Sequence, residues 1–342
     1  MLLEELRKKR QSRGTHVIAE ERNGLVEAVH RAHVAVMNHK GELLYSSGNP
    51  NYLTFSRSCM KPFQALPLLT SGAFDHFELD DLELAVVSGS HSGEPMHLEL
   101  VRSILRKGGL DESYLRCGGH LPFHQESALP LMGKFSPIHD NCSGKHSGVL
   151  LLSKFRGYPL DSYLSMDHSA QSEVMAAISD ISGTDPKEIL VGVDGCGLPN
   201  HAMTIDRFAL MFARLGNPLG LRGHNHIGRI RDAMMANPYL VAGTGRFDTA
   251  VMEDFPGRVV SKGGAVGLQS MGVEADGRWL GVSLKVEDGS YQAVAALAYH
   301  ILGELGFGPG LGKGEKFRSP RVDTRSGEMV GGFHVLGALK GL

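Results

Sequence analysis

The sequence predicts an α+β protein whose antiparallel sheet is assembled from both chain ends, with a helical region inserted between them. Three observations carry this: strand alternation near the start, helical periodicity through the middle, and strand character again near the end. From Val26 to Gly48 apolar residues alternate as Ala28-Val29-His30 and His33-Val34-Ala35-Val36-Met37, then turn at His39-Lys40-Gly41 into Glu42-Leu43-Leu44-Tyr45, a β-hairpin pattern. An apolar stretch of helical character follows Ser58. Periods near 3.6 then recur at Leu82 to Val87, Met96 to Lys107, Gln171 to Ser182, Ile205 to Leu215 and Ile227 to Ala236. Arg258 to Ser261, Ala265 to Met271 and Arg278 to Val286 alternate or run apolar between glycines, and Ser290 to Leu305 reads as a long amphipathic helix. Five glycines between Gly306 and Gly314 mark a linker before a last short strand, Gly332 to Leu336. The expected organisation is a charged N-terminal segment (1–20) and one catalytic domain (21–342) of two lobes. The sheet lobe takes about 21–75 and 256–342, the latter including the linker and final strand at 306–342, and the helical lobe about 76–255.

At 342 residues, 42% of them hydrophobic, the chain can bury a full core without staples. A formal net charge of −2 argues against a nucleic-acid partner, which calls for a basic stripe. No stretch approaches the roughly 18 to 20 consecutive apolar residues of a membrane span, and the charged start lacks a signal-peptide core. A cytoplasmic protein with no membrane partner is expected. The cluster Arg7, Lys8, Lys9, Arg10 and Arg13 reads as a solvated helix face. Four cysteines, Cys59, Cys117, Cys142 and Cys196, are too few for a disulfide framework in a chain this long.

Chemistry enters at Phe55-Ser56-Arg57-Ser58-Cys59-Met60-Lys61-Pro62. On a helix, residues i and i+3 share a face, so the Lys61 amine can reach the Ser58 hydroxyl. Serine becomes a nucleophile at neutral pH only beside a base, and a buried uncharged lysine is one. Ser90 lies in the small-residue loop Ser88-Gly89-Ser90-His91-Ser92-Gly93-Glu94 and is a candidate proton relay. Lys262 ends a strand in Ser261-Lys262-Gly263-Gly264, where two glycines let a substrate carbonyl approach. The order Ser-x-x-Lys, then Ser, then Lys-Gly on a late strand is also that of the penicillin-recognising enzymes. Their serine β-lactamase and penicillin-binding-protein folds likewise build a sheet from both chain ends around an inserted helical segment.

A second constellation joins His139-Asp140-Asn141-Cys142-Ser143-Gly144-Lys145-His146 to Asp194-Gly195-Cys196-Gly197-Leu198-Pro199. Both cysteines are expected in polar, glycine-bearing turns, unlike an inert core thiol. Two thiolates, one nitrogen and a water suit zinc, with His139 or His146 as the conventional nitrogen and Lys145 able to serve only when neutral. A metal-free hydrogen-bonding role is the alternative.

These segments, together with Gly243-Thr244-Gly245-Arg246-Phe247-Asp248-Thr249, resemble the L-asparaginase II family, the serine-type class 3 asparaginases, in family order from about Glu27 to Leu305. The resemblance implies a serine β-lactamase-like fold, two Ser-Lys tandems (Ser58 with Lys61, Ser90 with Lys262), Zn2+ held by Cys142, Lys145 and Cys196, and a homodimer. It also implies an L-asparagine substrate, cleaved to L-aspartate and ammonia through an acyl-enzyme, with Asp194 at the substrate; charge alone makes Arg57 a partner for one charged end of that substrate, and His91 is a further substrate-binding candidate. Two departures stand out: Asp140-Asn141 replaces the common pair of asparagines, and Gly264-Ala265-Val266-Gly267 replaces Gly-Ala-Glu-Gly. Two other classes remain open. A penicillin-recognising hydrolase or D-amino-acid peptidase shares the serines and lysines but leaves the cysteines unexplained, and a non-catalytic zinc- or amino-acid-binding protein accommodates the missing glutamate.

Overall fold

The computed structural model describes residues 16–337 and 339; the basic cluster Arg7 to Arg13 lies outside the described residues. Its strands are β1 (His16–Arg22), β2 (Leu25–Asn38), β3 (Leu43–Ser47), β4 (Leu53–Phe55), β5 (Leu190–Val193), β6 (Pro199–Thr204), β7 (Val259–Gly264), β8 (Leu268–Ala275), β9 (Arg278–Val286), β10 (Arg321–Asp323) and β11 (Met329–Leu336). The chain divides into two compact units. One holds residues up to Cys59, Met203–Asn217 and the chain from Glu253 onward; the other holds Met60–Ala202 and Pro218–Met252.

The first unit is built on an antiparallel sheet ordered β10-β11-β1-β2-β9-β8-β7, with β3 also paired to β2. The sheet therefore draws on both chain ends, as the α+β expectation required. The hairpin β2–β3 forms at its expected turn, where the Asn38 side-chain oxygen accepts from the backbone N–H groups of Lys40 and Glu42 at 3.0 Å each. Strand β1 falls where the sequence shows only a short charged stretch, and it is inserted between β2 and β11. Val34, Val36, Val260, Met271, Val282 and Leu284 are fully buried. The helix Ile205–Gly216 packs on β2, β8 and β9. Missing side chains permit this approach: a Cβ on Gly281 would overlap the Ala209 carbonyl oxygen, and one on Gly272 would lie 2.7 Å from the Phe212 carbonyl oxygen. The helix Tyr291–Glu304, flanked by an N-cap in which the Ser290 hydroxyl accepts from Ala293 N–H, packs on β9 and β11.

The second unit centres on the helix Ser143–Arg156, buried from Ser143 through Ser153. It packs against the helices Asp81–Val87 and Pro95–Lys107. Here too glycine sets the distance, because a Cβ on Gly144 would lie 2.5 Å from the Val86 carbonyl oxygen and one on Gly148 would lie 2.8 Å from Val87 Cγ1. Asp80 and Glu83 close a reciprocal cap on Asp81–Val87, each side chain accepting from the other's backbone N–H at 2.9 and 3.0 Å. Strands β5 and β6 pair antiparallel and carry the Asp194–Leu198 turn between them. Among the described residues no helix is long and apolar enough to cross a membrane.

Candidate active site

Ser58 and Lys262 belong to the first unit, Lys61 and Ser90 to the second. Ser58 sits in a 3-10 turn, Arg57–Met60, and Lys61 opens the short helix Lys61–Gln64. The α-helical setting expected for this pair is thus replaced by a tighter one. Prolines at 62 and 67 remove two N–H donors from any continuous helix, and each instead starts a short new one. Residues three apart eclipse in 3-10 geometry, but the 3-10 turn ends at Met60, one residue before Lys61. Arg57 enters the turn in left-handed backbone at φ 47°, which a non-glycine residue adopts only at a cost of about 1 kcal/mol or more. The turn is closed by Cys59 N–H donating to the Ser56 carbonyl at 3.1 Å, and the Cys59 thiol donates to the Lys262 carbonyl at 3.0 Å. Cys59 therefore fastens the Ser58 turn to β7. Gly264 leaves room for it, since a Cβ there would lie 2.9 Å from the Ser56 carbonyl oxygen and 3.2 Å from Cys59 Sγ. The buried Lys262 amine donates to the Gly263 carbonyl at 2.9 Å.

In the second unit Lys61 is fully buried. Its amine donates to Ser90 Oγ at 2.8 Å and to the Asn141 carbonyl at 2.9 Å. The hydrogen bond thus joins the lysine of one expected tandem to the serine of the other. His91 is also fully buried; its Nδ1 accepts from Gly93 N–H at 3.2 Å, so Nε2 carries the proton and donates to Ser143 Oγ at 2.9 Å. Burial, first, and the neighbouring His97 and Lys61 hold His91 well below the usual imidazole range, so the ring is neutral. Both of its nitrogens are already engaged within the protein.

Cys142 is the N-cap of the helix Ser143–Arg156, which gives the glycine beside it a packing purpose rather than a turn. Lys145, one turn in, donates to Cys196 Sγ at 3.2 Å. The Cys142 thiol donates to Asn141 Oδ1 at 3.2 Å; the proximity of the two sulfurs raises the pKa of Cys142 to about 11 and lowers that of Cys196 to about 5, with the Lys145 charge assisting the Cys196 thiolate. Burial works against the Lys145 charge, but the two sulfurs and Asp194 outweigh it and raise its pKa. Asp194, half-buried, accepts from Gly195 N–H at 2.8 Å within the turn that also presents Cys196. Two soft sulfurs and an amine converge, a donor set that fits zinc once the lysine proton is released. Among the described residues no three His, Cys, Asp or Glu side chains form a metal-holding group, and His146 faces the Tyr163 hydroxyl at 2.7 Å.

Three further residues, to which the sequence assigns no role of their own, fasten segments within their own units. Glu94 accepts from Thr244 and Tyr239, Cys59 ties the nucleophile turn to β7, and Lys285, buried, donates to the Val266 carbonyl at 2.8 Å. Val266, standing where a glutamate is common, is exposed and left-handed at φ 63°. That turn also shifts the start of β8 to Leu268, three residues beyond the apolar run that marks it in the sequence.

The chain belongs to the L-asparaginase II family, whose model matches residues 18–335. Among curated proteins no significant match is found. Of solved structures, the chain is similar to the crystal structure of Mglu, at 15% identity, covering 80% of this chain and 66% of that one, with a TM-score of 0.44. The chain thus spans just under two thirds of the length of Mglu. It is also similar to a probable glutaminase from Bacillus subtilis complexed with 6-diazo-5-oxo-L-norleucine, at 11% identity, covering 80% of this chain and 84% of that one, with a TM-score of 0.37.

Proposed function

We propose that the protein is an amidohydrolase that converts L-asparagine to L-aspartate and ammonia through a serine acyl-enzyme. The observation that best supports it is the fully buried Lys61 amine 2.8 Å from the Ser90 hydroxyl, within a chain of the L-asparaginase II family. Ser58 Oγ attacks the side-chain amide carbon as Lys61 takes its proton, giving a tetrahedral intermediate. Ser90, bonded to Lys61, passes a proton onward to the departing ammonia with Lys262 as the second cation. Water then hydrolyses the Ser58 ester to release L-aspartate. Backbone N–H groups at Ser58 and after Lys262 serve the oxyanion. Arg57 and Asp194 pair with the charges of the substrate's α-carboxylate and α-ammonium groups, and His91 supports that pocket through Ser143.

Cys142, Lys145 and Cys196 would hold a zinc ion, whose chemistry would be to fix the substrate end that Asp194 also meets. Ser58 remains the nucleophile. Ammonia release from L-asparagine and from L-glutamine, with a chromogenic β-lactam as control, tests the reading. Preferential turnover of asparagine supports it; β-lactam hydrolysis without ammonia release favours the penicillin-recognising alternative, and binding without turnover the non-catalytic one.

A further inference from the structure

Two loops far apart in sequence lie zipped together within the second unit. Ser90 N–H donates to the Val241 carbonyl at 2.7 Å, Ser92 Oγ to the Ala242 carbonyl at 2.8 Å, and Glu94 Oε1 accepts from Thr244 N–H at 2.8 Å. Each step of two residues on one side meets the next contact on the other. Glycines make the approach possible: a Cβ on Gly89 would lie 2.7 Å from the Val241 carbonyl oxygen, and one on Gly243 would lie 2.5 Å from Glu94 Oε1 and 2.6 Å from Ser92 Oγ. The zipper ends at Glu94. Its second carboxylate oxygen accepts from the Thr244 hydroxyl at 2.7 Å and the Tyr239 hydroxyl at 3.2 Å.

Glu94 is 5% exposed, so these donors replace the water it has lost. Burial alone would raise its pKa, yet the two hydrogen bonds from Thr244 overcome that and lower it, so the carboxylate is ionised in the folded protein. A second path leads from the same carboxylate back to the site. Tyr239 stacks on His97 with ring centroids 4.8 Å apart, His97 on His91 at 5.3 Å, and His91 donates to Ser143 Oγ.

We infer that Glu94 is a positioning residue of the reaction, acting through Ser90 by clamping the 239–244 segment against the Ser90 turn. The inference rests on the proposed role of Ser90. Without the carboxylate, Thr244 and Tyr239 lose their acceptor, the zipper loosens from its end, and Ser90 N–H is no longer held at the Val241 carbonyl. The Ser90 hydroxyl then drifts from the Lys61 amine. A misplacement of about 1 Å in a catalytic group can cost on the order of a hundredfold.

The test is steady-state kinetics of ammonia release across pH for Glu94→Gln, Thr244→Val, Thr244→Ser, Ser90→Ala and Glu94→Gln/Ser90→Ala, with urea unfolding of each. Glu94→Gln is expected to lower kcat about 10- to 100-fold with KM within about threefold, and to displace the pH profile. Thr244→Val is expected to show a smaller loss in the same direction, and Thr244→Ser, which keeps the hydroxyl, to recover most of it. In the Ser90→Ala background Glu94→Gln is expected to add no further loss, because its effect runs through the missing hydroxyl. A folded Glu94→Gln with parental kcat and pH profile overturns the inference, as does a full additional loss in the Ser90→Ala background. If Glu94→Gln does not fold, Thr244→Val decides by the same two criteria. Ser90→Ala with parental activity instead overturns the role of Ser90 itself, whatever Glu94 does.

Discussion

Replacing Lys61 by methionine isolates the amine, because methionine keeps the length and apolar stem of the side chain. Lys61 is fully buried and gives two hydrogen bonds, to Ser90 Oγ and the Asn141 carbonyl. Losing both leaves two acceptors without this donor, at about 1 to 3 kcal/mol each. Removing a buried amine also relieves a desolvation penalty of several kcal/mol wherever that amine is charged. The two effects oppose, so stability in urea is expected to change by no more than about 2 kcal/mol. Activity has no such compensation. A general base contributes typically 10²- to 10⁴-fold, so kcat for ammonia release from L-asparagine should fall by about that factor in a protein that still unfolds cooperatively. Lys61→Arg should be as inactive, since guanidinium does not give up its proton at accessible pH. A folded Lys61→Met within tenfold of the parent, or a fully active Lys61→Arg, would refute the base assignment.

Elemental analysis of purified protein should find close to one zinc per chain, and Cys196→Ser should remove it and raise KM more than it lowers kcat; metal-free parent protein with an unchanged KM would reject the site. Gly281→Ala should destabilise the protein by about 1 to 3 kcal/mol or more by driving a methyl into the Ala209 carbonyl, read as a lower urea midpoint; an unchanged midpoint would contradict the close packing. Burial, and secondarily the Lys145 charge, lower the His201 pKa to about 4. Below about pH 6.5 the unfolded chain binds a proton that folded His201 refuses until about pH 4, so stability is present above that window and lost as pH falls through it. At pH 5 this amounts to about 2 kcal/mol, and His201→Gln should flatten the pH dependence of urea unfolding between pH 7.5 and 5 by about that amount; an unchanged slope would count against it.

Periodicity made the elements legible, whereas their partners were not. The helix Ile205–Gly216 shows its period plainly, yet nothing in that period says it packs on β2, β8 and β9 rather than among the helices preceding it. The answer lies in Gly272 and Gly281, residues that read locally as strand breakers and act as contact surfaces. Likewise Gly144 reads as a turn beside Cys142, although it is the point where the helix Ser143–Arg156 touches Val86. Site residues that perform chemistry are visible because their types are unusual at those spacings: Ser58 with Lys61, and Cys142 with Lys145. Glu94 and Cys59 act by holding other groups through long-range hydrogen bonds, and no local pattern encodes a partner 150 or 203 positions away. The link from Lys61 to Ser90 is of the same kind: the family resemblance implies two separate pairs, Ser58 with Lys61 and Ser90 with Lys262, and the fold bonds the lysine of one to the serine of the other.

The central claim is that Ser58 carries the acyl group. Mixing the protein with excess L-asparagine, quenching in acid during steady-state turnover and mapping the digested peptides by mass spectrometry would locate it. The account predicts an aspartyl ester on the peptide containing Ser58, absent from Ser58→Ala, which should be folded and inactive. An ester on Ser90 or any other residue, or a Ser58→Ala variant turning over within tenfold of the parent, would contradict it.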